Sequence, residues 1–219
     1  MKKKIIIAFV LLIILSTYSP YKNLNIASLF KIDRIIVENN YLLEETEVRN
    51  QLSFLYKSNI FFLDHLKTKN EISKESLIES LEIKKIYPRT LRVKIFEKEP
   101  IAVIQNKKEK KFFTKKGYIA KYFESEKIQN LPIVFGDEKN FKIFYINLKK
   151  TNFPIKIIKS FYLFDSNRWD LIIKDNRTIK LPTKNYTESL KNFLDIKDYN
   201  NLEKYKIFDY RINNQLILK

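Results

Sequence analysis

The sequence predicts an α+β protein: an N-terminal transmembrane helix, a β-α-α-β-β unit directly behind it, and a mostly antiparallel β-domain with a helix near the C-terminus. Three observations predict it. Lys2-Lys3-Lys4 precedes an unbroken apolar run, Ile5–Leu15. The β-rich runs Ile78–Ile86 and Leu91–Phe96 flank Tyr87-Pro88-Arg89-Thr90, where proline presets φ for a turn and cannot donate to a central ladder. Beyond Ile101 the chain is mostly short runs of β-formers separated by turn residues.

The apolar run alone spans only about 16 Å as a helix, against a hydrocarbon core of about 30 Å. Continuing to Tyr21 brings it to about 26 Å, with Tyr18 and Tyr21 suited to the interface. Residues 5–21 are therefore expected to be an uncleaved anchor, marked by Ile5, Leu11, Leu15 and Tyr18, behind a cytoplasmic tail of residues 1–4. A cleaved signal peptide has the same charged start, and Thr17 and Ser19 offer a poor small-residue pair for it. Either reading exports the remainder, because the lysines stay inside. The expected placement is a single-pass type II inner-membrane protein with a periplasmic bulk.

A linker, 22–30, leads to a strand at Ile32–Val37 and a turn at Asn39-Asn40. Glu44–Leu55 reads as a helix, with Val48, Leu52 and Leu55 near helical spacing and acids in the first turn. Asn59–Asp64 is an apolar connector, and Thr68–Ser76 a second helix. The hairpin follows; Leu91, Val93 and Ile95 alternate with Arg92, Lys94 and Phe96, giving one apolar face. Glu97-Lys98-Glu99-Pro100 is a turn whose two carboxylates read as solvated charge.

In the second unit, Lys111–Thr114 and Tyr118–Tyr122 flank a Lys-Lys-Gly hairpin signal, and Leu131–Gly136 is an apolar segment closed by Pro and Gly. Phe141–Lys149 reads as helix or strand. Ile155–Phe164, Trp169–Lys174 and Thr178–Leu181 read as strands, Tyr186–Leu194 as a helix, and Tyr205–Lys219 as a strand. In that last strand Phe208, Tyr210, Ile212, Leu216 and Leu218 fall on one face, with Asn214 the polar exception, and Asp209, Arg211, Asn213 and Gln215 on the other. An open row of N–H and C=O groups there could accept a strand from another chain.

Composition excludes several chemistries. Two glycines leave no phosphate loop, dinucleotide fingerprint or nucleophile elbow. The absence of cysteine removes disulfides, thiolate metal sites and thiol nucleophiles. The single histidine, His65, reads as a surface or loop residue rather than a catalyst. The net charge of +17 suggests nucleic acid or anionic lipid, but only seven of the 42 basic residues are Arg, and Lys, Ile and Asn abound while Ala is rare. That is the bias of an AT-rich genome, and no nucleic-acid partner, cofactor or metal is expected.

The order β-α-α-β-β outside an anchor resembles the POTRA domain, and the wording resembles the bacterial cell-division FtsQ/DivIB family. Ile32-Asp33-Arg34-Ile35-Ile36-Val37 and Asn59–Asp64 look like that family's POTRA opening. Tyr87–Val93 is similar to its xP-x-T-L-x-V hairpin, and Glu97–Val103 to its E-R-x-P-[VI]-A exit. Leu131–Gly136 resembles its LPxxxG segment, Asn167–Leu171 its RRWdL stretch with Asn for the first Arg, and Phe208-Asp209-Tyr210-Arg211 its terminal VDLR.

The resemblance implies a POTRA domain over 31–100, a β-domain over 101–219, and no enzymatic activity. It implies a divisome scaffold at the division septum that binds FtsB and FtsL, and through them the septal peptidoglycan synthase FtsW/FtsI, with FtsK a further partner. It places FtsB on the last strands: Phe208, Tyr210, Arg211, Ile212, Asn214, Leu216 and Leu218, supported by Arg168 and Trp169. The alternative is a POTRA-bearing export or outer-membrane assembly chaperone, which usually continues into a long β-barrel.

Overall fold

The computed structural model describes residues 2–17, 29–72, 76–107, 109–197, 202–212 and 215–219. Helix α1 (Lys2–Thr17) has 16 residues. At 1.5 Å per residue it is about 24 Å long, short of a hydrocarbon core of about 30 Å. Among the described residues no helix is long and apolar enough to cross a membrane. This overturns the expected transmembrane anchor, and with it the single-pass inner-membrane placement. The physical reason is length. Lys2–Lys4 occupy the first turn, and at the other end the Ser16 and Thr17 hydroxyls donate back to the Ile13 carbonyl at 2.9 and 2.7 Å. Ile5, Leu11 and Leu15 lie exposed on this helix, whereas Tyr18 to Tyr21 lie outside the described residues, as does most of the expected linker.

The first unit is a three-stranded sheet of order β1-β3-β2, formed by β1 (Arg34–Glu38), β2 (Ile78–Ile86) and β3 (Thr90–Glu97). β1 runs parallel to the central β3 and β2 antiparallel to it. Leu91, Val93 and Ile95 are fully buried, as their alternation requires, in one core with Val48 of α2 (Glu45–Gln51), while α3 (His65–Glu71) lies beside β2. The predicted 44–55 helix is split. α2 stops at Gln51, and the Leu55 N–H bonds Leu52 O at 2.9 Å, tightening Ser53–Lys57 into a 3₁₀ turn. Val48, Leu52 and Leu55 are still all buried. α3 begins earlier than predicted because Asp64 caps it, accepting from Leu66 N at 2.8 Å and Lys67 N at 3.3 Å.

Glu97 is not the solvated charge its turn position suggested. Its carboxylate accepts three backbone N–H groups, from Tyr41 (3.2 Å), Leu42 (2.7 Å) and Leu43 (2.8 Å), and so fixes the loop entering α2.

The second unit is a nine-stranded sheet of order β12-β11-β10-β9-β8-β7-β4-β5-β6. Its strands are β4 (Pro100–Gln105), β5 (Lys110–Thr114), β6 (Ile119–Lys121), β7 (Ile133–Phe135), β8 (Ile158–Leu163), β9 (Trp169–Ile173), β10 (Thr178–Lys180), β11 (Ile207–Asp209) and β12 (Ile217–Leu218). The sheet is mixed: five of its eight pairings are antiparallel, and β4 with β7, β7 with β8, and β10 with β11 are parallel. Helical crossovers cause the last two, whereas β4 and β7 are connected through the β5–β6 hairpin. α4 (Glu138–Lys150) returns the chain between β7 and β8, and α5 (Tyr186–Ile196) between β10 and β11, so each pair runs the same way. α4 resolves the helix-or-strand ambiguity at 141–149; Phe141, Phe144, Tyr145 and Leu148 are its buried stripe, and Asp137 caps it by accepting from Asn140 N at 2.9 Å.

Only two glycines serve these turns. Gly117 sits at φ +79° in the β5–β6 hairpin, and a Cβ at Gly136 would lie 2.9 Å from Leu163 Cβ, so that strand end needs the bare backbone. Elsewhere asparagine takes the left-handed positions, at Asn39, Asn130, Asn152, Asn167, Asn176 and Asn185.

Two cores result. One lies between the sheet and α4 and α5, and contains Phe141, Phe161, Trp169 and Phe208. The other belongs to the first unit but also takes in Val103, Phe112 and Ala120 from the opposite face of β4, β5 and β6. The two units thus share apolar packing at one end of the large sheet.

Candidate partner-binding edge and open sheet face

The predicted strand 205–219 is two strands with a turn between them. β11 inserts parallel to β10, and β12 folds back antiparallel on β11 at the edge of the sheet. Periodicity missed the break because apolar residues resume with the same parity on both sides of the turn. Ile207 and Lys219 exchange both backbone bonds, 2.9 and 3.1 Å. In an antiparallel ladder the neighbouring residue then points its N–H and C=O the other way, so those of Leu218 face outward. Asn214 lies outside the described residues.

Sequence-predicted residues fall into two groups. Phe208 is fully buried with its ring 5.0 Å from Phe193, and Trp169 packs 4.9 Å from Phe144; both face the helices. Tyr210 is buried too, its hydroxyl donating to Asn192 Oδ1 at 2.9 Å, and burial pushes its phenol well above the usual range. Leu216 and Leu218 are half-buried on the same core, while Ile212 and Arg211 are exposed. A cleft of about 510 Å³, lined by Lys184, Asn185, Glu188, Asn192, Tyr210 and Leu216, opens beside the edge.

The other face carries what the sequence reading did not find. Register aligns Phe135, Tyr162, Asp170, Lys180 and Asp209 in one row across β7 to β11. A second row is Ile133, Ser160, Ile172, Thr178 and Ile207. Phe135 stacks on Tyr162 at 4.7 Å. The apolar members of both rows belong to neither core and are partly exposed, so this part of the face is open at those positions, while Ser160, Asp170 and Asp209 are buried among their neighbours. The outward-alternating residues of these strands were the available signal, but without the strand order no row could be assembled.

Arginines flank the charged end of the first row. Arg211 forks onto Asp209 (Nη2 to Oδ2 2.7 Å, Nε to Oδ1 2.9 Å), and these bonds hold the Asp209 carboxyl below its usual range. Arg168 reaches Asp170 through longer bonds, 3.1 and 3.4 Å, and lies 4.3 Å over the Phe164 ring. Burial therefore wins at Asp170 and pushes its carboxyl up.

Among the described residues the arrangement is an edge at which the Leu218 backbone groups point outward, next to a face of stacked rings and paired charges. Among the described residues no group of three His, Cys, Asp or Glu could hold a metal. Residues 30–98 match the POTRA domain, FtsQ-type, and residues 102–211 match the Cell division protein FtsQ/DivIB, C-terminal family. The chain is 28% identical to the cell division protein FtsQ of Rickettsia typhi over 196 residues, covering 87% of this chain and 73% of that one. It is 29% identical to FtsQ of Rickettsia bellii over 195 residues, with 87% and 72% covered. FtsQ of Bartonella bacilliformis is 25% identical over 168 residues, 76% of this chain and 54% of that one. With a POTRA unit joined to the family's own C-terminal domain, the chain belongs to the FtsQ/DivIB family of cell division proteins, whose members are non-catalytic scaffolds.

Proposed function

We propose that this division scaffold works by accepting a strand of FtsB alongside β12, with FtsL held through FtsB, and that the complex connects to the septal peptidoglycan synthase FtsW/FtsI and to FtsK. The observation that carries the reading is the outward N–H and C=O of Leu218 at the edge of the nine-stranded sheet. An added strand would continue both faces. On the helix side it would meet Leu216 and the cleft beside Tyr210; on the open side it would lie near Arg211 and the charged row. Arg168 and Arg211 would favour acidic partner side chains beside that strand. Phe208 stands opposite Leu218 on the adjacent strand and Trp169 packs on α4, so both would shape the core behind the site rather than touch the partner.

The test is binding of an FtsB segment to the wild type and to Leu218→Pro. Proline at 218 removes a donor that points outward and leaves the Ile207–Lys219 bonds in place. Affinity is expected to fall by about tenfold or more, roughly 1.4 kcal/mol, with thermal melting close to wild type. Unchanged affinity would place the FtsB contact elsewhere.

A further inference from the structure

One end of the POTRA unit carries a patch that no described residue covers and that the scaffold reading does not use. Three segments meet there: 29–31, 59–66 and the hairpin tip 85–89. The Phe61 ring packs edge-on against Phe30 at 4.7 Å and stacks on Tyr87 at 5.0 Å. Phe62 is 84% exposed, Leu66 75%, Tyr87 56% and Leu29 55%, a concentration of bare apolar surface. Cations rim it. Lys85 Nζ donates to Phe61 O at 3.3 Å, and Arg89 Nε donates to Lys31 O at 3.2 Å. The acids nearby are engaged: Asp33 pairs with Arg89 at 3.1 Å, and Asp64 caps α3.

We infer that this patch is an interfacial contact for an anionic lipid surface. Rings and leucines at the centre with amines at the rim match the chemistry of a headgroup layer, where apolar tips enter the acyl boundary and Lys and Arg reach back to phosphates. Continuity supports the same occupant. Residues 18–28 reach at most about 40 Å when extended, so the patch lies within short range of α1, apolar on all sides from Ile5 to Leu15 and exposed throughout. A surface contact of this kind needs no helix that crosses.

The experiment uses the full chain carrying Phe62→Trp, with the wild type and its buried Trp169 as background. Vesicles contain brominated acyl chains, with either phosphatidylglycerol in phosphatidylethanolamine or phosphatidylcholine alone. The introduced indole is expected to be quenched on the phosphatidylglycerol vesicles, less so on phosphatidylcholine, and less again when Lys85→Glu and Arg89→Glu are added. An unquenched indole overturns the proposal, even if the protein sediments with the vesicles through α1. Equal quenching on both vesicle types overturns the anionic recognition. An unquenched indole together with weakened FtsB binding by Phe62→Trp would make the patch a protein contact instead.

Discussion

The same face of the nine-stranded sheet is used differently at its two ends. At β4 to β6 it presents Val103, Phe112 and Ala120, all buried against the POTRA core. From β7 to β11 the row that continues Val103 reads Ile133, Ser160, Ile172, Thr178 and Ile207, and the row beside it carries Asp170, Lys180 and Asp209. The covered end is purely apolar, whereas the open end mixes rings, hydroxyls and paired charge. A surface that must stay wet until a partner arrives cannot carry a large bare apolar area without inviting wrong partners. Because both ends belong to one hydrogen-bonded sheet, the POTRA unit is joined, through its packing on β4 to β6, to the face and edge proposed to take FtsB.

Phe112→Ala tests the covered end and should have the largest effect. Phe112 is almost fully buried, with Tyr122 and Phe123 rings 5.0 and 5.4 Å away. Its truncation should cost about 3–5 kcal/mol, read by denaturant unfolding. A loss below 1.5 kcal/mol, roughly the scale of a partly exposed aromatic contact, would mean that this end is not a true core and would erase the contrast.

Glu97→Ala should cost about 1–3 kcal/mol, because the N–H groups of Tyr41, Leu42 and Leu43 lose their shared acceptor. Its effect should appear as faster hydrogen exchange in 41–43 while the open face of the β-domain is unchanged. Faster exchange at β9 to β11 as well would show the two ends to be more tightly coupled than their separate packing suggests.

At the open end, Tyr162→Ala removes a stacked but half-exposed ring and should cost about 1 kcal/mol, while lowering partner affinity if the face is used. A cost equal to that of Phe112→Ala would show that the face is covered after all.

The smallest effects should come from the two aspartates, with opposite signs. The Asp209 carboxyl is held down by Arg211, so its contribution is present above the ordinary carboxylate range near pH 4 and is lost as pH falls through its lowered value. The Asp170 carboxyl is pushed up by burial, so its contribution is full below that range and is lost as pH rises through its raised value. Asp209→Asn should therefore lower the melting temperature at pH 7 by a few degrees, and Asp170→Asn should leave it unchanged or raise it slightly. If both variants shift the same way, the charged row acts as one unit.

Much of this protein was legible in the chain. Alternation at Leu91, Val93 and Ile95, helical spacing at Val48, Leu52 and Leu55, and the wording of Leu131–Gly136 and Asn167–Leu171 carried the POTRA unit and the family. These signals are local, since each depends on residues within a few positions of one another. The transmembrane reading of the N-terminal run did not hold, because among the described residues no helix is long and apolar enough to cross a membrane. Glu97 was misread because its partners lie more than fifty residues away in sequence.

By itself, the sequence determined the kind of most long elements, the 138–150 helix excepted, which of their faces is apolar, and the family to which the chain belongs. Tertiary structure alone decided strand order. It placed β11 parallel to β10 through the α5 crossover, folded β12 back to the edge, and brought Phe135, Tyr162, Asp170, Lys180 and Asp209 into one row from five separate strands. The physical reason is that periodicity reports only the side of a strand on which a residue lies, whereas its neighbours across the ladder are set by how helices and turns return the chain.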